Sequence, residues 1–190
     1  MIIVKMKIWI LASLVLFVLA GCGGAANYYM LSGSKPIDLR QNKRLATIGV
    51  ERVRLPEYMK QGKIAIQLSP TQISYSDSDN WAEDMESSLT KELIATIQKS
   101  FNHPNVYAYP WDLSKQAGIK IKVIIHKFIA YGDYVYLDAS WEISDLKRDK
   151  QHAKLFSTKV PTDKSMNSVV ASMNAAFEQL SERIVRDIAS

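Results

Sequence analysis

The chain has 190 residues, with 24 lysines and arginines against 19 aspartates and glutamates, and it contains one cysteine. This length suits a single domain with one hydrophobic core, preceded by a short targeting segment. The formal charge of +5 falls to +3 when Lys5 and Lys7 are removed with that segment. So small an excess, spread along the chain, does not indicate nucleic-acid binding, and we expect no nucleic-acid partner.

The N-terminal segment has the pattern of a secretory signal. Lys5 and Lys7 make its start positive, and residues 8–19 form an uncharged, mostly apolar run that is too short for a comfortable membrane span. Leu19-Ala20-Gly21-Cys22 follows and resembles a lipobox, the cleavage and lipidation signal of bacterial lipoproteins. The sequence therefore predicts a signal peptide over residues 1–21. Translation starts at either Met1 or Met6, because both leave a basic start.

Cys22 is the predicted lipidation site, and residues 22–27 are the predicted lipidated tether. An ordinary secretory signal with an incidental cysteine is the alternative. With Cys22 lipidated, no thiol remains for a disulfide or for a cysteine metal site. Gly23, in place of aspartate, resembles an outer-membrane sorting signal in a Gram-negative cell. We therefore expect an outer-membrane protein that is lipid-anchored and faces the periplasm.

The first half of the mature chain reads as strands and loops. Residues 28–31 are predicted to form an edge strand, and residues 34–43 a polar loop. Residues 47–55 alternate and stop at Pro56, as expected for a strand. Residues 63–68 alternate as well, with Ile64, Ile66 and Leu68 predicted to point inward, and residues 72–75 form a further short strand.

A helix is predicted to follow, to about residue 100. Asn80 and Glu83 have the spacing of a capping box. The apolar side chains then recur at every fourth position and make one ridge, which comprises Trp81, Met85, Leu89, Leu93 and Ile97. We expect Trp81 to be a core residue.

The second half predicts a strand meander and a long helix. Residues 106–111 are a short strand candidate, residues 118–126 alternate clearly, and Gly132-Asp133 marks a tight turn. Two further strands follow over residues 134–143 and 153–160, before a helix over residues 167–189. The whole pattern predicts an α+β fold, a single domain over residues 28–190 with a mainly antiparallel sheet and two long helices packed on one face.

Groups that carry catalysis or bind metals are scattered. His103, His126 and His152 are the only histidines, and no two have ligand spacing. Nucleophile, zinc and nucleotide motifs are missing from the sequence. We therefore expect no enzymatic activity, no catalytic residue, no cofactor and no metal site.

Aromatic residues gather around the predicted hairpin. Tyr131, Tyr134 and Tyr136 lie within six residues of one another, beside Phe128 and Trp141. Aromatic residues are common on well-packed β surfaces, so this cluster is either ordinary packing or a binding patch.

Several segments together resemble the PqiC/YmbA-like lipoproteins, which are auxiliary components of ABC-type transport systems. Each motif is weak alone, but their order and spacing extend over nearly the whole mature chain. The matching segments are Cys22, Tyr28-Tyr29-Met30-Leu31, the stretch from Ile48 to Met59 with its Leu55-Pro56 and Tyr58, Ile73-Ser74-Tyr75, Asn80-Trp81-Ala82-Glu83 and the late meander with Trp141.

This resemblance implies a partner system. Such lipoproteins accompany MCE-domain tunnel proteins, which conduct lipids between membranes, so the expected function is a membrane-anchored accessory lipoprotein that docks the conduit at the outer membrane. The alternative is a structural lipoprotein that assists assembly of an outer-membrane complex without handling lipid. The candidate partner-binding residues are Tyr28 and Tyr29 on the edge strand, or Tyr131, Tyr134 and Tyr136 on the hairpin. Self-association as a homo-oligomer through the same edge is a further alternative.

Overall fold

The computed structural model describes residues 25–32, 46–110 and 117–190. The predicted signal peptide, Cys22 and the predicted loop over residues 34–43 lie outside this part of the chain, as does Trp111. The described residues form one sheet of eight strands and two long helices. In chain order the elements are β1 (Asn27–Tyr29), β2 (Ile48–Glu51), a short 3-10 helix (Glu57–Met59), β3 (Lys63–Ser69), β4 (Gln72–Trp81), α1 (Met85–Phe101), β5 (Val106–Tyr109), β6 (Ile119–Tyr131), β7 (Tyr134–Asp145), β8 (Lys150–Pro161) and α2 (Met166–Ala189).

The predicted meander forms the three longest strands of the sheet. β6, β7 and β8 are twelve or thirteen residues long and pair antiparallel along their whole length. Gly132 has a positive φ of 60° in the turn between β6 and β7, a conformation that glycine adopts without strain. The strict alternation of β7 buries every second side chain, namely Val135, Leu137, Ala139, Trp141 and Ile143.

The other side of β6 forks. β2 pairs parallel with the first residues of β6, and β3 pairs parallel with its last two. Between them, Tyr58 of the 3-10 helix accepts a 2.8 Å hydrogen bond from the backbone N–H of Phe128 through its hydroxyl. β5 then extends the β2 branch, and β4 followed by β1 extends the β3 branch.

Both helices cover the same face of this sheet. α1 contacts β2 and β5, α2 contacts β6, β7 and β8, and the two helices also contact each other. The residues of the predicted ridge that lie on α1 are buried, namely Met85, Leu89, Leu93 and Ile97. On α2, apolar side chains recur at three- and four-residue spacing, and they are buried apart from Ile188, which is half-buried; the buried ones are Val169, Val170, Met173, Phe177, Leu180 and Ile184. None of the described helices is long and apolar enough to cross a bilayer.

The predicted start of the first helix is wrong. Asn80 and Trp81 end β4, which runs well beyond the predicted residues 72–75, and the helix begins only at Met85. Asp84 is the residue that caps it, because its side chain accepts a 2.8 Å hydrogen bond from the backbone N–H of Ser87. Trp81 is nevertheless buried, with 6% of its surface exposed.

Leu68 also differs from its prediction, since 56% of its surface is exposed. It lies near the tip of the β3–β4 hairpin. Alternation points the Leu68 side chain toward the helix side of the sheet, but alternation alone does not place another element over it. The fold class is confirmed as α+β. The three antiparallel pairings are the longest and the four parallel ones are short, so the sheet is mixed but mainly antiparallel.

Candidate interaction surface

Neither helix packs on the second face of the sheet, which we call the open face. It is defined by strand alternation: residues opposite Tyr134, Tyr136, Asp138, Ser140 and Glu142 of β7 point to the same side, because paired residues share a face. Tyrosines and lysines dominate it. They comprise Tyr28, Tyr75, Tyr107, Tyr109, Tyr131, Tyr134 and Tyr136, together with Lys63, Lys120, Lys122, Lys127 and Lys159.

Three lysines of the open face lie over tyrosine rings. The Nζ atom lies 4.7 Å from the ring centroid in the pairs Lys120–Tyr109 and Lys127–Tyr136. It lies 4.8 Å away in the third pair, Lys159–Tyr134. Cations at this distance are attracted by the ring face. The stacked lysines therefore keep both the rings and the positive charge on one surface.

One carboxylate fixes the first of these pairs. Glu51 of β2 accepts a 2.6 Å ion-pair contact from Lys120. This hydrogen bond to Glu51 raises the pKa of Lys120 above its ordinary value, although partial burial acts in the other direction. Lys120 is therefore charged throughout the physiological pH range.

The predicted hairpin residues lie together at one end of the open face. Tyr131 pairs with Tyr134 across the hairpin, and the rings of Tyr134 and Tyr136 meet edge to face with centroids 6.3 Å apart. All three side chains are half-buried. Across β6, Gln67 pairs with both Tyr131 and Ile73, so the aromatic surface continues onto the β3–β4 hairpin, where Ile73 is 40% exposed.

The structure separates the two predicted residues of the edge strand. Tyr28 pairs with Asn80, which in turn pairs with Lys63, and this places Tyr28 on the open face with 69% of its surface exposed. Tyr29 points to the helix side and packs against the core. Tyr28 and the hairpin tyrosines therefore share one face, at opposite ends of β3.

β1 is held by its neighbour β4 through both backbone and side chains. The side-chain amide of Asn27 donates a 2.8 Å hydrogen bond to Asp79, and the backbone N–H of Ala82 donates a 2.7 Å bond to the carbonyl of Tyr29. Hydrogen bonds from Ser76 and Asn27 lower the pKa of Asp79, so its carboxylate stays charged. Within the described residues, no strand pairs with the other side of β1.

Some residues of the open face were not among the predicted candidates. Tyr107 and Tyr109 alternate on β5, a spacing that the sequence shows, but their face follows only from the parallel pairing of β5 with β2. Tyr75 joins through its pairing with Ala65. Lys127 and Lys159 come from strands on either side of β7, so only the register brings them to the same tyrosine pair.

The histidines do not form a site. His126 Nε2 lies 2.9 Å from the hydroxyl of Ser140 on the open face, and His152 Nε2 lies 3.0 Å from Asp187 on the helix side. His103 lies in the loop after α1. In the described parts of the chain, no three histidine, cysteine, aspartate or glutamate residues are placed to hold a metal ion.

Comparison with known proteins places this geometry in a family. The model of the ABC-type transport auxiliary lipoprotein component matches residues 29–185. A solved structure described only as an uncharacterized protein is 20% identical, with a TM-score of 0.71 and coverage of 87% of this chain and 99% of that chain. Protein XCC0632 from Xanthomonas campestris is 12% identical, with a TM-score of 0.72 and coverage of 84% and 93%.

At these identities the two solved structures show a shared fold. No curated protein matches the sequence. The family model carries the identification, because it covers the described domain from the edge strand β1 to the last helix, α2. The chain therefore belongs to the PqiC/YmbA-like family of ABC-type transport auxiliary lipoproteins, whose members are membrane-anchored.

Proposed function

We propose that this protein is the outer-membrane accessory lipoprotein of an MCE-type lipid-transport system and that its open face docks the tunnel protein of that system. Family membership supplies the transport role. The observation that carries the docking role is the concentration of tyrosines and lysines on a sheet face that neither helix covers.

The chemistry of the open face suits a protein partner. Tyrosines are enriched at the energetic centres of interfaces, since their rings bury area and their hydroxyls still form hydrogen bonds. Stacked lysines add positive charge that steers association and sets orientation. Tyr131, Tyr134 and Tyr136 would form the centre of the contact, and Tyr28 would extend it toward the tether.

The predicted lipid anchor supports the same arrangement. Because β1 begins at Asn27, the predicted tether from Cys22 is short. Even a fully extended tether spans at most about 3.3–3.6 Å per residue. A domain held this closely to the outer membrane would meet a tunnel protein at that membrane and would couple the two. The proposed role requires neither catalysis nor a cofactor from this chain.

The test is recovery of the MCE-domain protein with the detergent-solubilised, lipidated chain, measured by quantitative mass spectrometry. The informative variant is Lys127→Glu combined with Lys159→Glu, which reverses the charge over Tyr136 and Tyr134 without removing a ring. We expect the double variant to recover at least tenfold less tunnel protein than the wild type.

The matched control is Lys91→Glu combined with Lys99→Glu, which makes the same charge change at exposed positions on α1. This control should recover the tunnel protein as the wild type does. Undiminished recovery with the folded Lys127→Glu, Lys159→Glu variant and with Tyr28→Glu would show that the docking surface is wrong. Failure of the wild type to recover any MCE-domain protein after cross-linking would refute the function itself.

A further inference from the structure

β8 forms a long edge of the sheet that is separate from the predicted tether and contains no open-face tyrosine. Its twelve residues pair with β7 on one side along the whole strand. Within the described residues, no strand pairs with its other side. On such an edge, alternate residues point their backbone N–H and C=O groups outward, ready to pair with another strand.

The side chains in the first half of β8 are also exposed to solvent. All six side chains from Lys150 to Leu155 are exposed, and Leu155 is 85% exposed, the largest fraction among the large apolar residues described. Leu155 points to the open face between Ala153 and Ser157, whose short side chains leave it accessible. A strand added beside this half of β8 would cover part of the Leu155 side chain.

The charges of β8 have one sign. Lys150 and Lys159 are the charges that β8 can offer to a partner, because Lys154 and His152 already contact the carboxylate of Asp187, and no residue of β8 is acidic. A second copy of β8 would bring these like charges together across the new pairing, which is destabilising. An incoming strand with carboxylates would instead pair with them. Lysines on an edge strand discourage self-association, and the same lysines select an acidic partner.

The position of β8 suits a partner on the side away from the anchor. β1, next to the tether, lies five strands away through β4, β3, β6 and β7. At about 4.8 Å per strand this separation is roughly 24 Å. We propose that β8 accepts an extended, acidic segment of another protein as an added strand. This inference is independent of the tunnel protein proposed above.

The test uses the lipidated mature chain in detergent and a synthetic peptide of alternating valine and glutamate. Hydrogen–deuterium exchange followed by mass spectrometry reports where amide exchange slows. We expect slower exchange in residues 150–161 only. A peptide of alternating valine and lysine should cause no slowing.

Charge reversal at the edge provides the second measurement. Lys150→Glu should weaken binding of the glutamate peptide about two- to fivefold, the range for one exposed ion pair, while Lys99→Glu on α1 should leave it unchanged. Equal protection by both peptides, protection that maps outside β8, or unchanged binding by Lys150→Glu would overturn the proposal. Concentration-dependent protection of β8 without peptide would overturn it too, because the occupant would then be a second copy.

Discussion

Asp187, in the last turn of α2, ties the helix to two strands of the meander. Its carboxylate, 2% exposed, accepts hydrogen bonds from Trp141 Nε1 at 2.8 Å, from His152 and from the ammonium group of Lys154. Burial acts to raise the pKa of Asp187, but the hydrogen bonds from Lys154, Trp141 and His152 outweigh it and lower the pKa below its ordinary value. The charged form is therefore the one that stabilises the fold.

Asp187→Asn should lower the free energy of unfolding at neutral pH by about 1.5–3 kcal/mol, the cost of losing hydrogen bonds to a charged group. Because the folded-state pKa is lowered, this stabilisation is complete well above the unfolded value of about 3.9 and is lost as the pH falls through it toward the folded value. Urea unfolding of wild type and variant between neutral and acidic pH measures the difference. The difference in free energy of unfolding between wild type and Asp187→Asn should shrink on acidification. The control Asp77→Asn, at an exposed position, should differ little from the wild type at any pH. A difference for Asp187→Asn that does not change with pH would contradict the assignment.

Trp81 is the second residue whose contribution the burial predicts. It is 6% exposed and belongs to the main core cluster, although it lies on β4 and not on the helix. Trp81→Ala should cost about 3–5 kcal/mol in the free energy of unfolding. Leu155→Ala, at an 85% exposed site, should change it by less than about 0.5 kcal/mol. Equal melting temperatures for wild type and Trp81→Ala would contradict the core assignment.

Among the elements, the fork in the sheet explains the role of the segment from Leu55 to Met59. Leu55, Tyr58 and Met59 follow β2 and fill the space between β2 and β3. Leu55 and Met59 are buried, and the hydroxyl of Tyr58 accepts from the N–H of Phe128, which faces the gap. α1 holds the same segment, because Thr90 accepts from the N–H of Val53 at 2.9 Å.

Removing only the Tyr58 hydroxyl tests this role. Tyr58→Phe keeps the ring but leaves a part-buried N–H without its partner, so the free energy of unfolding should fall by about 1–3 kcal/mol. Amide exchange at Phe128 should also become faster. Tyr75→Phe, which removes a hydroxyl from a 39% exposed side chain, is the matched control and should be nearly neutral. An unchanged exchange rate at Phe128 would show that the bond does not protect the fork.

Local pattern predicted those elements whose faces differ strongly in polarity. The alternation of β7 and the apolar stripes of α1 and α2 each indicate both the element and its buried side. The segment from Ser76 to Asn80 misled because serine, aspartate and asparagine are typical helix caps. Here Asp79 accepts hydrogen bonds from Ser76 and from Asn27 of β1, within a bulged strand. The fork and the four parallel pairings are contacts between residues distant in sequence, which periodicity does not report.

The candidate surface shows the same limit. The sequence could identify Tyr131, Tyr134 and Tyr136 as a group, because they lie on one hairpin. It could not bring Tyr107 or Tyr109 to their face, since this depends on strand order. The side taken by Tyr28 likewise depends on its register with β4.

In the whole molecule, β1 and the two proposed surfaces lie at different parts of the sheet. The chain enters at β1, on one edge of the sheet, and β8 is the opposite edge. The open face joins these edges and carries the stacked lysines and tyrosines. Anchoring at Cys22 would therefore restrain one edge near the bilayer while the rest of the sheet stays accessible to partners.

The predicted lipidation and sorting signals can be changed without changing the domain, because Cys22 and Gly23 precede β1 and the domain that follows it. Cys22→Ala should remove the protein from the membrane fraction or leave it unprocessed.

Gly23→Asp should keep lipidation but move the protein from the outer- to the inner-membrane band of a sucrose gradient in a Gram-negative host, with the melting temperature of the solubilised protein unchanged. The proposed docking at the outer membrane adds a second consequence: Gly23→Asp should also lower recovery of the tunnel protein, although every residue of the open face is intact. Wild-type protein in the inner-membrane band would contradict the sorting prediction, and undiminished recovery by a relocated Gly23→Asp protein would show that docking does not require the outer membrane.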